Sequence, residues 1–244
     1  MRFIGVDLAW GGRNPSGVAV LDPGGRVVDE GWATSDDELL GFLAAHDRDG
    51  AVLALDAPLV VTNPAGTRRA CEAELQRRYG RVGAGPYPTN LGVLGGRVRA
   101  MELAERSPRP YLTVPRDPGR GTGWWAVEVF PAPALVELGG LGRAVRYKKG
   151  PPEARRAGLA AVAAVLDRLA GADPALRLDP AGRLARELGR LEGLRGTALK
   201  AVEDLIDAHV CAYVGLWWWA RGRAATLVAG DDATGAILVP RPAG

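Results

Sequence analysis

Cysteine and lysine are scarce in this chain of 244 residues. Its two cysteines, Cys71 and Cys211, are too few for a disulfide framework, and neither lies in a Cys-x-x-Cys pair or another Cys/His spacing typical of zinc sites. We therefore expect a protein of the reducing cytoplasm. The only lysines among 31 basic residues are Lys148, Lys149 and Lys200, so arginine supplies most of the positive charge.

Long apolar segments and a nucleotide-binding P-loop are absent as well. Residues 1–9 have a strand-like pattern, without the basic region, apolar stretch and cleavage site of a signal peptide. The most apolar helical segment, residues 205–220, contains Asp207 and His209 and is too short and too charged to span a bilayer. The glycine-rich stretch 92–96 lacks the Gly-Lys-Ser/Thr ending of a P-loop. We therefore expect no membrane partner and no Walker motif.

The composition is that of a folded domain, with 47% hydrophobic and 24% charged residues. Charge is unevenly distributed: residues 1–57 hold four arginines and ten acids, whereas residues 58–120 hold eleven arginines and five acids. An acidic segment followed by a basic one is typical of a metal site beside a surface that binds a polyanion. Solvated helix faces would account for the same charges.

Apolar patterns along the chain predict a mixture of strands and helices. Residues 22–25 (Asp-Pro-Gly-Gly) predict a hairpin turn, and the hydroxyl residues 34–35, followed by three acids, predict a helix start. The apolar run 51–57 is expected to be buried on both sides, at the centre of the sheet. The predicted strands cover residues 2–9, 17–21, 26–33, 51–57, 124–130, 226–229 and 236–239, and the predicted helices cover residues 67–81, 96–106, 153–169, 181–194 and 197–221.

Three antiparallel strands, a helix and then a central strand are the opening of a ribonuclease H-like domain. The same order opens the actin-like ATPase and sugar-kinase fold. A length of 244 residues fits one domain better than two. We therefore predict a single ribonuclease H-like α/β domain over residues 1–244, in which helices flank a mixed sheet of three antiparallel and then parallel central strands. Residues 58–123, rich in Arg, Gly and Pro, are predicted to form a basic, largely helical insertion.

Acidic residues interrupt several of the apolar elements. Asp7 lies in the first strand, Asp56 near the end of the central strand, and Glu128 in a third apolar strand. A buried, unpaired carboxylate is costly, so each of these should have a cation or several hydrogen bonds. Open α/β sheets bind ligands at the carboxyl ends of their strands. The most apolar helix adds Asp204 and Asp207, which are three residues apart and therefore share one helix face.

These carboxylates predict a metal centre. Converging acids repel one another unless a divalent cation neutralises them, and hard oxygen ligands suit Mg²⁺ or Mn²⁺. Two such ions about 3.5–4 Å apart would activate a water and stabilise the leaving oxygen in phosphodiester cleavage. Glu203, four residues before Asp207, is an alternative to Asp204 on the helix face. Each acid taken alone could also be a helix cap, an arginine partner or a solvated strand end.

Six short motifs extend over almost the whole chain. They are G-V-D-L-A at 5–9, A-L-D-A-P at 54–58, E-V-F-P-A at 128–132, Y-K-K-G at 147–150, D-L-I-D-A-H at 204–209 and G-D-D-A-T-G-A-I-L-V-P at 230–240. Together they resemble the predicted ribonuclease H-like nucleases, a domain-of-unknown-function family numbered 429. The D-x-x-D-A helix also resembles the last acidic motif of Holliday-junction resolvases of the same fold.

The resemblance implies a role for each acid. Asp7 would be the ligand shared by two metal ions, and Asp56 would be the ligand from the central strand. Asp204 and Asp207 would be the ligand pair from the helix. Glu128 matches an acidic strand position of the family and need not be a ligand.

Basic and aromatic residues supply candidates for substrate binding. Lys148 and Lys149, in a glycine-flanked stretch, could clamp a phosphate, and a solvated loop is the alternative. Arg68 and Arg69 belong to the basic insertion. Tyr87 lies in a rigid Pro-Tyr-Pro loop and could stack on a base or simply pack against the protein.

Other conspicuous side chains are expected to be mainly structural. His209 lies roughly on the opposite side of its helix from Asp207, so we expect a structural role, with assistance at the site as the alternative. The tryptophans at 124–125 and 217–219 are predicted to pack in the core, with some at an interface that would suit a homodimer. Arg155 and Arg156 could extend the lysine surface.

Three functional hypotheses follow from the sequence. The first is a metal-dependent phosphodiesterase, a nuclease acting on DNA or RNA, in which arginine and lysine hold the backbone. The second is an ATPase or kinase of the actin-like superfamily, for which the turn at Gly11–Gly12 would be a phosphate loop, although no second loop is evident. The third is a non-catalytic module that binds nucleic acid through the basic insertion and needs no metal.

Overall fold

The computed structural model describes residues 1–9, 14–113 and 120–242, and all its strands and helices lie in these ranges. The strands are β1 (Arg2–Asp7), β2 (Ser16–Leu21), β3 (Val27–Ala33), β4 (Ala51–Leu55), β5 (Trp124–Val129), β6 (Thr226–Asp231) and β7 (Gly235–Pro240). The α-helices are α1 (Asp36–His46), α2 (Ala70–Tyr79), α3 (Arg99–Arg106), α4 (Pro131–Gly139), α5 (Pro152–Arg168), α6 (Arg183–Gly189) and α7 (Gly196–Arg221).

The strands form one mixed seven-stranded sheet with the order β3-β2-β1-β4-β5-β7-β6. Strands β1, β2 and β3 pair antiparallel, whereas β4 pairs parallel with β1 and β5 pairs parallel with β4. β7 pairs parallel with β5 and antiparallel with the edge strand β6. The predicted arrangement of three antiparallel strands beside a buried central strand is confirmed, because β4 is the middle strand and all its residues are buried. The carboxyl ends of β1, β4 and β5 therefore meet at one edge of the sheet.

Helix α7 packs directly on β1 and β2, and 18 of its 26 residues are buried. Two glycines allow this close approach. A Cβ atom on Gly5 would overlap the carbonyl oxygen of Ala208, and a Cβ atom on Gly17 would overlap the carbonyl oxygen of Asp204. The backbone of α7 consequently lies against the strand that ends in Asp7, which brings the acids of the helix to that strand.

The pleat of β1 determines which way Asp7 points. Alternate residues of a strand face opposite sides of the sheet. Phe3 and Gly5 face α7, whereas Ile4 and Val6 pack in the core that includes α1 on the other side. Asp7 continues the first series and therefore faces α7.

The tryptophans lie largely in the core, as predicted. Trp125 and Trp218 are both buried and make an edge-to-face contact, with ring centroids 6.5 Å apart. Trp217 is buried, and the half-buried Trp219 packs on Phe3 with a centroid distance of 5.3 Å. In the described ranges, no helix combines the length and the hydropathy needed to cross a membrane.

The segment 58–123 contains less helix than predicted. Its described part holds α2, with ten residues, α3, with eight, and one short 3-10 turn. Side chains join the irregular backbone before α2 to the loop between α2 and α3. The Asn63 amide donates to the carbonyl oxygen of Thr89, and the Asn90 amide donates to that of Thr67. The Gly and Pro residues of the segment favour such loops over continuous helix.

The structure differs from the predicted helices in two further places: it contains one helix that was not predicted, and it shortens another. The sequence patterns do not predict α4, because Pro131 is interpreted there as the end of a strand. In the structure Pro131 lies in the first turn of α4, where the missing N–H has no intrahelical partner to lose. The helix predicted over residues 181–194 is shorter, since α6 ends at Gly189 and the separate 3-10 turn Leu191–Gly193 follows it.

Candidate metal centre

Three carboxylates meet at the carboxyl ends of β1 and β4, against α7. Asp7 ends β1, Asp56 directly follows β4, and Asp207 belongs to α7. One oxygen atom from each lies within 4.8 Å of the others. The Asp56 amide donates to the carbonyl oxygen of Val6 at 2.9 Å, which continues the parallel ladder and sets Asp7 and Asp56 side by side. We call these three residues the carboxylate cluster.

The electrostatics of the carboxylate cluster favour a bound cation. Burial raises the pKa of Asp7 well above its ordinary range, and the charges of Asp56 and Asp207 raise it further. Burial raises the pKa of Asp56 to about 6, against the attraction of Lys148 and with added repulsion from Asp207. Asp7 Oδ2 is buried and has no hydrogen-bond partner among the described residues. A divalent cation would reduce the repulsion among the three carboxylates and would give Asp7 Oδ2 a partner.

Lys148 and Tyr147 both contact Asp207, which is fully buried. Lys148 Nζ lies 2.7 Å from Asp207 Oδ2 and 3.6 Å from Asp56 Oδ2. The Tyr147 hydroxyl donates to Asp207 Oδ1 at 2.7 Å, and burial raises the pKa of this tyrosine well above its usual value, so it remains a proton donor. Lys148 is predicted from the sequence as a substrate ligand, whereas Tyr147 has no predicted role beyond its place beside the two lysines.

Asp204 lies one turn before Asp207, outside the carboxylate cluster. It accepts a hydrogen bond from Lys200, whose ammonium also lies 3.0 Å from Glu203 Oε1. The Asp204 charge still contributes to raising the pKa of Asp7. Glu203, the alternative to Asp204, faces Lys200 and Arg155 instead, with 3.1 Å between Glu203 Oε2 and Arg155 Nη2. Asp204 is therefore near the site with its charge already paired.

Glu128 has an arginine partner, one of the alternatives that the sequence leaves open for each acid. Arg69 donates to its two carboxylate oxygens, at 2.6 and 2.9 Å, and the Leu59 amide donates at 3.2 Å. Arg69 is itself buried and also contacts Glu72 at 2.8 Å. Burial raises the pKa of Glu128, and Arg69 opposes this shift. Glu128 and Arg69 thus neutralise each other in a bidentate contact outside the carboxylate cluster, and their predicted roles as catalytic acid and substrate ligand stay predictions that this pairing does not support.

The sequence matches a family described as a protein of unknown function (DUF429) over residues 5–233. The chain belongs to the DUF429 family. The matched range includes all of the carboxylate cluster, from Asp7 to Asp207, and the recognition drawn from the short motifs is confirmed. No curated protein and no solved structure matches the chain.

Beside the cluster, this DUF429 protein presents an exposed aromatic and basic surface. Tyr87 is 74% exposed, and Lys149 Nζ lies 3.0 Å from its hydroxyl and 4.9 Å from its ring centroid. Tyr87 and the half-buried Arg68 line the same shallow depression. We call Arg68, Tyr87 and Lys149 the aromatic ledge. Because Lys149 follows Lys148, the ledge is connected directly to the carboxylate cluster.

A cavity of about 460 Å³ lies on the other face of the sheet, beside α1 and α3, and none of the three carboxylates lines it. Its wall includes the residues that immediately follow Asp7 and Asp56 in the chain. Arg97 and Arg99 also line the wall, where Arg97 is paired with Glu102 and Arg99 with Asp36. A cavity of this size falls in the range of small-molecule sites.

Several other predicted residues are not part of the cluster. His209 is buried with Nε2 3.0 Å from Glu30 Oε2, a contact between α7 and β3 that supports the predicted structural role. Arg156 is buried and donates to the Leu194 carbonyl oxygen at 3.3 Å, so it does not extend the lysine surface. The turn at Gly11–Gly12 lies outside the described residues.

Proposed function

We propose that this DUF429 protein is a metal-dependent phosphodiesterase, a nuclease that hydrolyses DNA or RNA at the carboxylate cluster. The observation that carries the proposal is the meeting of Asp7, Asp56 and Asp207, combined with the buried and unpartnered oxygen of Asp7. Carboxylate oxygens are the ligands that Mg²⁺ and Mn²⁺ prefer. The same residues would hold the ion whether the substrate is DNA, RNA or a smaller phosphodiester.

The finer fold assignment is part of this proposal. The strand order β3-β2-β1-β4-β5, with β2 antiparallel to its neighbours, supports a ribonuclease H-like domain. The position of the acids supports it too, because Asp7 and Asp56 lie at the carboxyl ends of adjacent parallel strands. A cytoplasmic location stays a prediction, based on the free cysteines Cys71 and Cys211.

Each part of the site has a distinct task in hydrolysis. When bound, the metal ion supplies charge neutralisation and an acidified water. Tyr147 fixes the orientation of Asp207 by its hydrogen bond. Water adds to phosphorus, the ester P–O bond breaks, and the departing oxygen takes up a proton. Lys148 places an ammonium beside the carboxylates, where it can attract the phosphate that approaches them.

The surroundings of the cluster suit a polymeric anion. The aromatic ledge combines two cations with a solvent-exposed tyrosine, and such combinations bind single-stranded nucleic acid through phosphate contacts and base stacking. The cavity lined by Leu8 and Ala57, the residues that follow Asp7 and Asp56 in the chain, has room for part of a nucleotide. We therefore expect a substrate strand to pass from the ledge across the carboxylate cluster.

A cleavage assay tests the proposal. Purified protein is incubated with fluorescently labelled single-stranded, duplex and branched DNA, and with RNA, in the presence of Mn²⁺ or Mg²⁺ or of chelator. We expect cleavage that needs the metal and is lost in Asp7→Asn. The matched control is Asp37→Asn, an exposed acid on α1, which should retain full activity. Equal activity of wild type and Asp7→Asn, or no cleavage of any substrate, would refute the proposed function.

A further inference from the structure

The three lysines of this chain are all found around the carboxylate cluster, although arginine is preferred elsewhere. Lys148 contacts Asp207 and Asp56, Lys200 contacts Asp204, and Lys149 contacts Tyr87 on the ledge. Arginine is a planar fork suited to bidentate pairs, whereas lysine is a compact point charge. Of the three lysines, Lys148 is the one whose compact ammonium contacts the carboxylate cluster itself.

Lys148 holds the position of a cation between two carboxylates. Its ammonium is 2.7 Å from Asp207 Oδ2 and 3.6 Å from Asp56 Oδ2. Asp207 is fully buried, and its other oxygen accepts from Tyr147. Two buried oxygens of the cluster lack a hydrogen bond in the described part of the chain, Asp7 Oδ2 and Asp207 Oδ2, and the Lys148 ammonium lies against the second of them. A divalent cation would therefore lie nearest to Asp7, because the Lys148 ammonium already lies between Asp56 and Asp207.

The charge balance points to a single divalent ion. The carboxylate cluster carries three negative charges when ionised, and Lys148 supplies one positive charge. One divalent cation neutralises the remainder, whereas two would leave the substrate-free site with excess positive charge. The two other predicted acids are not available, because Asp204 is paired with Lys200 and Glu128 with Arg69.

We propose that the substrate-free site binds one divalent cation, held by Asp7 together with Asp56 and Asp207, and that the ammonium of Lys148 takes the place of a second ion. This inference rests on the proposed function for the presence of a metal. It concerns the substrate-free site, whereas the sequence predicts two ions when substrate is bound. It makes Lys148 a positioning residue that sets the number of bound ions and their affinity.

Manganese binding to the full-length chain tests this inference without any substrate. The bound Mn²⁺ is counted by elemental analysis after gel filtration, and its surroundings are read from the electron paramagnetic resonance spectrum. We expect wild type to bind one ion per chain, with no spin coupling between neighbouring ions. In Lys148→Met, either a second bound ion or a first ion bound about tenfold or more tightly supports the inference, because the variant removes the competing charge.

Lys149→Met is the matched control, since it removes the same charge one residue away without a contact to the cluster. It should leave the number of bound ions and their affinity almost unchanged. The inference is overturned if wild type binds two spin-coupled ions, or if Lys148→Met binds Mn²⁺ no differently from Lys149→Met. Should Lys148→Met fail to fold, the wild-type count alone decides between one ion and two. Two ions in an active wild type would overturn only this inference, whereas no bound ion would overturn the proposed function as well.

Discussion

Replacing Asp56 by Asn should stabilise the metal-free protein at neutral pH. Burial and the repulsion from Asp207 raise the pKa of Asp56 from 3.8 to about 6 even though Lys148 attracts it. The charged form of Asp56 is therefore disfavoured in the folded state. An isosteric amide removes the charge and keeps the shape, so the cost of ionising a carboxylate in this position disappears.

The size of the expected stabilisation follows from the difference in the pKa of Asp56 between the folded and unfolded states. Raising a pKa from 3.8 to about 6 corresponds to about 3 kcal/mol, at roughly 1.36 kcal/mol for each tenfold change in the dissociation constant. The raised pKa means that this stability is fully present below the unfolded pKa and is lost as the pH rises through the folded one. Wild type should therefore lose stability between about pH 4 and pH 6, and Asp56→Asn should lose less, because only Asp7 of the pair then keeps a raised pKa.

Thermal unfolding in chelator measures this difference. At about pH 7.5, Asp56→Asn should unfold at a higher temperature than wild type, by about 2–4 °C for each kcal/mol in a domain of this size. Near pH 4 the two proteins should unfold at the same temperature. Added Mn²⁺ should raise the unfolding temperature of wild type and have less effect on the variant, which has lost a ligand.

Glu128→Gln is the contrasting variant, because it makes the same change in a buried carboxylate that has a partner. It should destabilise the protein by about 3–5 kcal/mol, since it leaves the buried Arg69 without its bidentate acceptor. The reasoning is refuted if Asp56→Asn lowers the unfolding temperature in chelator at neutral pH. It is also refuted if the difference from wild type is the same at pH 4 and at pH 7.5.

Three further predictions concern the residues that position the site and bind substrate. Tyr147→Phe should weaken Mn²⁺ binding measured by calorimetry, because Asp207 loses the hydrogen bond that orients it; unchanged affinity with unchanged cleavage would contradict this role. Gly5→Ala should destabilise the protein by about 1–3 kcal/mol or more in denaturant titrations, since its Cβ would meet the backbone of α7, whereas Gly41→Ala, with open space around it, should not. Tyr87→Ala should weaken the binding of single-stranded DNA by about 1–3 kcal/mol in fluorescence anisotropy if the tyrosine stacks on a base, and leave the unfolding temperature unchanged.

Local patterns were sufficient to predict most of the strands and the start of the first helix. The Ser35 hydroxyl accepts from the Glu38 amide at 3.1 Å, as the N-cap pattern indicates. The central position of β4 followed from its continuous apolar run. α4 could not be anticipated in this way, because a proline after a strand is compatible both with a loop and with the first turn of a helix.

The sequence by itself determined that Asp7 and Asp56 stand at the ends of apolar strands and that Asp207 lies in an apolar helix. Strand and helix periodicity are local properties, so they can be recognised in a single sequence. Only the tertiary structure decided which acids share a site and which are neutralised elsewhere. Arg69 reaches Glu128 across 59 positions of the chain, and Tyr147 reaches Asp207 across 60. The interaction energy of such a pair falls with the reciprocal of the distance through space between its two charges. That distance bears no relation to the number of residues between them in the sequence.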